Sequence, residues 1–125
     1  MAFAYELNKK SVTLLADTDL EDYQYYAVKL NSDGEVVLAS DPNDDCFGVL
    51  QDEPAAAGRP CEVAVEGITK AIGGAAINAG AKVEVGAGGK FVTYTTGPLA
   101  GIAITSCGDD EEQFSLMIDR DATSK

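Results

Sequence analysis

Residues 28–38 read VKLNSDGEVVL, and this stretch decides how the chain is expected to fold. Two short apolar runs, VKL and VVL, flank a turn sequence that contains Asp33-Gly34. Asp-Gly favours the positive φ angles of tight reversals, and β-branched residues favour extended backbone on either side. The stretch therefore predicts an antiparallel β-hairpin.

A second hairpin is predicted at residues 83–94, where VEV is followed by the turn GAGG and then by KFVTY. The two hairpins align at an offset of 55 residues, which places Val28 on Val83, Leu30 on Val85 and Gly34 on Gly89. At an offset of 53, GVL at 48–50 falls on GIA at 101–103. We interpret this as an internal repeat with halves 27–66 and 81–118. A chance alignment of Gly-punctuated Val and Ile runs is the alternative.

Other period-two apolar runs predict further short strands, and they lie at residues 63–65, 102–104 and 114–118. Each half would then contain a hairpin, a strand, a polar loop and a last strand. We expect a mainly β fold, a small single-domain β-barrel or β-sandwich of short antiparallel strands. It should hold at most one or two short helices, and the place for one is residues 75–78, beside Gly73-Gly74.

The chain before the repeat, residues 1–26, is expected to be an N-terminal arm and lead-in, with the β domain at residues 27–125. Residues 1–10 mix charged with aromatic side chains and have no strand partner in the repeat, so we expect an arm that becomes ordered on a partner. Tyr23, Tyr25 and Tyr26 follow it. Their large amphipathic rings suit an interface as well as the edge of a core, and both interpretations stay open.

The charge balance limits the partners. Lys and Arg number 9 against 21 Asp and Glu, for a formal net charge of -12, and such a field repels nucleic acid and anionic lipid. We therefore expect no nucleic acid and no membrane as partner, and no apolar run is long enough to span a bilayer.

Residues 1–10 lack the apolar core of a signal peptide, so we expect the chain to stay in the cytosol where it is made. Much of the apolar content is alanine, and a small core of this kind favours oligomerisation.

No enzyme and no cofactor are expected. The chain has no histidine, which removes the usual general base and the commonest metal ligand. Cys46, Cys61 and Cys107 form no CxxC motif and their number is odd, which indicates reduced thiols. Cys46 and Cys107 lie beside acidic residues, and Cys61, which follows Arg59-Pro60, opens an alternating strand where we expect a buried side chain.

One segment weakly resembles a calcium loop. Asp41, Asn43 and Asp45 match the first, third and fifth loop positions, with Asp52 at the twelfth. Cys46 stands where such a loop needs glycine, and no helices are predicted to flank it. The alternative is an Asx/Pro turn without metal.

Several short motifs share their order with a known family. They are GVL at 48–50, AAAG at 55–58, EVAVEG at 62–67, AGAKV at 79–83 and GIA at 101–103, before the alternating run at 114–118. In this order, residues 47–118 resemble the bacteriophage capsid cement or head decoration proteins. The acidic, Tyr-rich lead-in and the positions of Cys46 and Cys107 depart from the family pattern, so the capsid-contacting surface is left open.

The resemblance implies a virion structural protein on the outer capsid surface, made in the host cytoplasm. It implies a homotrimer at three-fold or quasi-three-fold axes of an icosahedral head, contacting neighbouring major capsid protein subunits, without catalysis. Two other functions stay open: a tail or baseplate β domain of the virion, and a small calcium- or ligand-binding β module.

Overall fold

The computed structural model of the protein describes residues 6–42, 44–54 and 56–119. Within these ranges the chain forms nine β-strands and a single 3₁₀ turn, Ala87–Gly89. The strands are β1 (Leu7–Leu15), β2 (Ala27–Leu30), β3 (Val36–Leu38), β4 (Gly48–Leu50), β5 (Pro60–Ile72), β6 (Lys82–Val85), β7 (Phe91–Thr93), β8 (Leu99–Ala103) and β9 (Gln113–Ile118).

All nine strands belong to one antiparallel sheet that curls into a half-barrel in a single small domain. The strand order is β3-β2-β4-β5-β9-β8-β6-β7, and β1 pairs with β5. The mainly β fold and both hairpins are therefore confirmed. The helix considered at residues 75–78 is not formed, because Ile77 is buried there in a two-residue bridge with Cys107.

The two hairpins have the same register. Every pair in β2–β3 has its counterpart in β6–β7 at the offset of 55 residues. The matching pairs are Val28↔Leu38 with Val83↔Thr93, and Leu30↔Val36 with Val85↔Phe91. The β4–β5 and β8–β9 pairs match in the same way at the offset of 53, as in Val49↔Ala64 and Ile102↔Met117. The order of pairings is thus the same in both parts of the sheet.

The repeat extends into the segment for which the sequence predicts an arm and lead-in. Residues 7–15 form β1, which pairs with the first part of β5, and the last part of β5 pairs with β9 in the same register. Leu14↔Cys61 corresponds to Ala71↔Phe114, and Val12↔Val63 corresponds to Thr69↔Leu116. The first half therefore runs from β1 to Glu66, and the second half from Gly67 to β9, so that both share strand β5.

Each half also curls in the same way. A parallel bridge joins Ala16, after β1, to Val36 of β3, and another joins Gly73, after β5, to Phe91 of β7. The next residue donates a backbone hydrogen bond across each bridge, over 2.9 Å from Asp17 to Val36 and 2.8 Å from Gly74 to Phe91. These contacts bring the first strand of each half back to its third.

The core consists of two clusters that follow the repeat. The first-half cluster contains Ala16, Leu20, Val28, Val36, Leu50, Cys61 and Val63. Six of their counterparts belong to the second cluster: Ile77, Val83, Phe91, Ala103, Phe114 and Leu116. That cluster also takes in Ala27, Ala39, Cys46 and Val49 of the first half, so the two halves pack against each other. Burial of these apolar side chains is the main stabilising contribution to the sheet.

Candidate interaction surface

The three cysteine side chains are buried. Burial, with a smaller contribution from the Asp52 carboxylate, raises the pKa of the Cys61 thiol to about 11. Burial also raises the pKa of the Cys107 thiol, which donates a hydrogen bond to the Asp109 carbonyl oxygen over 3.1 Å. Both groups are therefore protonated thiols at neutral pH, and neither is placed as a nucleophile.

The segment with the calcium-like spacing is arranged around Asp44. Its Oδ2 lies 3.0 Å from Lys29 Nζ and accepts the Asp41 backbone N–H over 3.1 Å. Burial opposes ionisation, but these hydrogen bonds hold the pKa of Asp44 below its usual value. Asp41 and Asp45 are exposed, and Asn43 lies outside the described residues.

Among the residues that the structure describes, no group of three or more His, Cys, Asp or Glu side chains is arranged to hold a metal ion. Calcium binding by Asp41, Asn43 and Asp45 therefore stays a prediction. Calorimetric titration of the chelator-treated protein with calcium tests it directly.

An open groove of about 600 Å³ lies beside this segment, between the two halves. Its walls come from the end of β2 and the chain before β4 in the first half, and from Pro98 and Leu99 in the second. The Lys29–Asp44 ion pair stands in this wall. Cys46 also lines the groove, and its buried thiol donates a hydrogen bond to the Gly48 carbonyl oxygen over 3.3 Å.

Glu84 is a buried carboxylate whose hydrogen bonds are satisfied within the fold. It accepts the backbone N–H groups of Thr95 and Gly97, over 3.2 and 2.7 Å, and the Thr95 hydroxyl over 2.9 Å. Burial acts against its ionisation, yet these donors hold the pKa of Glu84 below its usual value. In the repeat, Glu84 corresponds to Lys29 of the first half and Gly97 corresponds to Asp44. Lys29 and Asp44 form the ion pair described above.

The tyrosines mark the junction between the halves. The Tyr25 carbonyl oxygen accepts the Ile72 N–H over 3.0 Å, and Lys70 Nζ lies 5.9 Å from the centre of the Tyr25 ring. The rings of Tyr23 and Tyr26 meet edge to face with centroids 5.2 Å apart. Tyr23 packs against the first-half core cluster and Tyr25 against the second. Of the two interpretations, the structure supports the edge of the core for these two rings.

Among the residues whose side chains the structure describes, three large apolar side chains are exposed. They are Val12 and Leu15 on β1, and Leu30 at the end of β2, with exposed fractions of 38%, 50% and 36%. Val36 connects the two strands. It forms a bridge with Ala16, the residue after Leu15, and it also pairs with Leu30 of β2. We call these three residues the apolar edge. Sequence patterning missed it, because alternation on β1 and β2 does not show which strand edges a neighbour covers.

A sequence profile of phage cement proteins matches residues 16–118. The chain belongs to the phage cement protein family. This cement protein is thus a structural protein of the phage head, as the resemblance of residues 47–118 implies. The match begins at Ala16, immediately after β1, and ends at Ile118, the last residue of β9.

The fold of this cement protein is similar to that of a solved structure, the N base of the head fiber gp8.5 in bacteriophage phi29. The TM-score is 0.57 at 20% sequence identity, and the alignment covers 90% of this chain and 95% of that chain. At this identity the likeness shows the fold alone. No protein with curated annotation matches the sequence. In the described part of the cement protein, no helix has the length and apolar character to cross a bilayer.

Proposed function

We propose that this cement protein binds the outer surface of the phage head and stabilises contacts between neighbouring major capsid subunits. The family match over residues 16–118 is the observation that supports this most directly. A protein that works by contact needs a stable body and exposed binding surfaces rather than a reactive centre. The described residues provide a sheet with two packed core clusters and an exposed apolar edge.

We further propose that it acts as a homotrimer at three-fold or quasi-three-fold axes of the head. A closed trimer would present three identical contact surfaces to three capsid subunits, and such multivalent binding gives a higher affinity than one contact alone. The acidic composition supports a position on the outside, because a net charge of -12 repels the packaged nucleic acid.

The experiment is co-sedimentation of the purified protein with phage heads that lack their own cement protein. We expect saturable binding near one copy per major capsid subunit, and heads that then resist heat or low salt better than bare heads. Heads that already carry a full complement are the matched control and should take up no more. No binding to matched bare heads, combined with binding to isolated tails, would contradict the proposal and favour a tail or baseplate component.

A further inference from the structure

The apolar edge lies at repeat positions that are covered in the second half. Val12, Leu15 and Leu30 correspond in register to Thr69, Ile72 and Val85. These counterparts are 0%, 8% and 1% exposed, against 38%, 50% and 36% for the apolar edge. The same positions of the same fold are therefore buried in one half and open in the other.

The first half is what covers these positions in the second half. The Gln51 amide donates to Thr69 Oγ1 over 2.8 Å, and the Tyr25 carbonyl oxygen accepts the Ile72 N–H. Val85 belongs to the core cluster that includes Ala27 and Ala39 of the first half. The side chain of Leu38 also lies against the second half, so close to Gly89 that a Cβ there would be 2.6 Å from Leu38 Cδ1. We call Tyr25, Leu38 and Gln51 the covering face of the first half.

The second half has a corresponding face that the described chain leaves largely open. Gly80, Thr93 and Ile104 stand at the repeat positions of Tyr25, Leu38 and Gln51. Gly80 and Thr93 are exposed and Ile104 is half-buried. The backbone at Gly80 matches that at Tyr25, since both have positive φ and both donate to the last residue of the neighbouring strand, Ala103 or Leu50.

We propose that a second copy of this chain covers the apolar edge with its free second-half face, around Gly80, Thr93 and Ile104. The contact between copies would repeat the contact that already joins the two halves within one chain. It is a head-to-tail contact between two different surfaces, so successive copies can close into a ring. The proposal rests on the self-association included in the proposed function, and it names the surfaces involved without depending on head binding.

Two double variants test this, because each removes one of the two surfaces. Leu15→Glu with Leu30→Glu places charges on the apolar edge, and Thr93→Glu with Ile104→Glu places them on the free face. The control is Ala56→Glu with Ala76→Glu, which adds the same charges at exposed loop positions. Circular dichroism and thermal unfolding identify the variants that are folded, and sedimentation velocity then gives the assembly of the full chain.

We expect the wild type and the control to assemble, and each surface variant alone to need at least about tenfold higher concentration, since every 1.4 kcal/mol of contact is a factor of ten. An equal mixture of the two surface variants should form a dimer that grows no further. That dimer arises because each variant keeps the surface that the other has lost. If Thr93→Glu/Ile104→Glu fails to fold, Thr93→Glu alone takes its place.

Three results would overturn the inference. Surface variants that assemble like the wild type would show that the contact lies elsewhere, with self-association retained. A mixture that stays monomeric would show a contact between two identical surfaces. A monomeric wild type would show that something other than a second copy covers the apolar edge. That occupant is the chain itself if the Leu15/Leu30 variant is less stable than the wild type. It is the capsid if the variant is equally stable but loses head binding. Head binding itself is decided by co-sedimentation, so its failure is distinguishable from the failure of this interface.

Discussion

Glu111 and Gly58 occupy the same position in the two halves, and both have a left-handed backbone. Their φ angles are 67° and 83°, and the N–H of each donates over 2.8 Å to the residue that follows the first strand, Gly73 or Ala16. The loop geometry is therefore dictated by its backbone hydrogen bonds and not by the residue type. Glycine adopts this conformation at no steric cost, whereas in glutamate the Cβ atom makes it unfavourable.

The first prediction exchanges residue types at this position. Glu111→Gly should raise the free energy of unfolding by up to about 1 kcal/mol, because it removes left-handed strain. The variant loses the contact of Glu111 with Lys90, but Lys90 keeps its ion pair with Asp110 at 3.0 Å. The reciprocal change Gly58→Glu should lower stability by about 1 kcal/mol, since the space is open but φ is unfavourable. Urea unfolding of both variants measures this, and equal signs for the two would contradict it.

A second prediction concerns Gly48 in β4 and Gly101 in β8, which occupy the same position in the two halves. A Cβ on Gly101 would collide with the Met117 carbonyl oxygen, and one on Gly48 with the Ala64 carbonyl oxygen. Backbone cannot move aside as a side-chain end can, so Gly101→Ala and Gly48→Ala should each cost roughly 1–3 kcal/mol or more. At Gly108 the nearest atom is the end of the flexible Glu112 side chain, at 3.1 Å. Gly108→Ala is the control and should be close to neutral in thermal and urea unfolding.

The third prediction is a pH dependence that comes from Glu84. Its pKa in the folded protein lies below the usual value, so the stabilisation is present above the unfolded pKa of about 4.3 and is lost as the pH falls through the folded pKa. Glu84→Gln should cost about 1–3 kcal/mol at pH 7 and less at pH 3. Urea unfolding between pH 7 and pH 3 measures the difference, with Glu21→Gln at an exposed position as control. A cost that is the same at both pH values would show that Glu84 acts through packing alone.

A fourth prediction follows from the buried cysteines. Because burial raises the pKa values of Cys61 and Cys107, the folded protein should react slowly with a thiol-specific reagent at pH 8. Unfolding in urea should expose Cys46, Cys61 and Cys107 together, so that all three react at the rate of a model thiol. Rapid modification of one cysteine in the folded protein, located by mass spectrometry, would show that this side chain is accessible.

The fifth prediction addresses the N-terminal arm proposed from the sequence. Residues 1–5 lie outside the described residues, whereas β1 begins at Leu7. Deleting residues 2–5, which include Phe3 and Tyr5, keeps β1 intact and should weaken head binding, because the N-terminal arm is proposed to contact the capsid. Thermal unfolding of the shortened protein checks that the fold is retained. A deletion into β1 is unsuitable, since it would remove strand pairing with β5. Unchanged co-sedimentation of the shortened protein would exclude a role for these residues in binding.

The sequence by itself determined the local parts of this protein. Asp33-Gly34 and the glycines at 86–89 fix two reversals, and the Val and Ile runs around them fix the strands, because turn chemistry and period-two patterning are local properties. The offsets of 55 and 53 residues also predicted which strand pairs would share a register. The charge and the missing histidine lead us to expect neither a nucleic-acid partner nor a common catalytic arrangement, and both expectations stay predictions.

Only the tertiary structure decided how these parts are joined. The side chains of residues 7–15 differ from those in the last part of β5, so the sequence did not show that residues 7–15 are the first strand of the repeat. The two segments correspond in their backbone pairing, which depends little on the side-chain type. Likewise Leu30 and Val85 are similar in sequence, yet one is exposed and the other buried. Burial of a strand edge depends on what packs against it, and that is a property of the assembled halves.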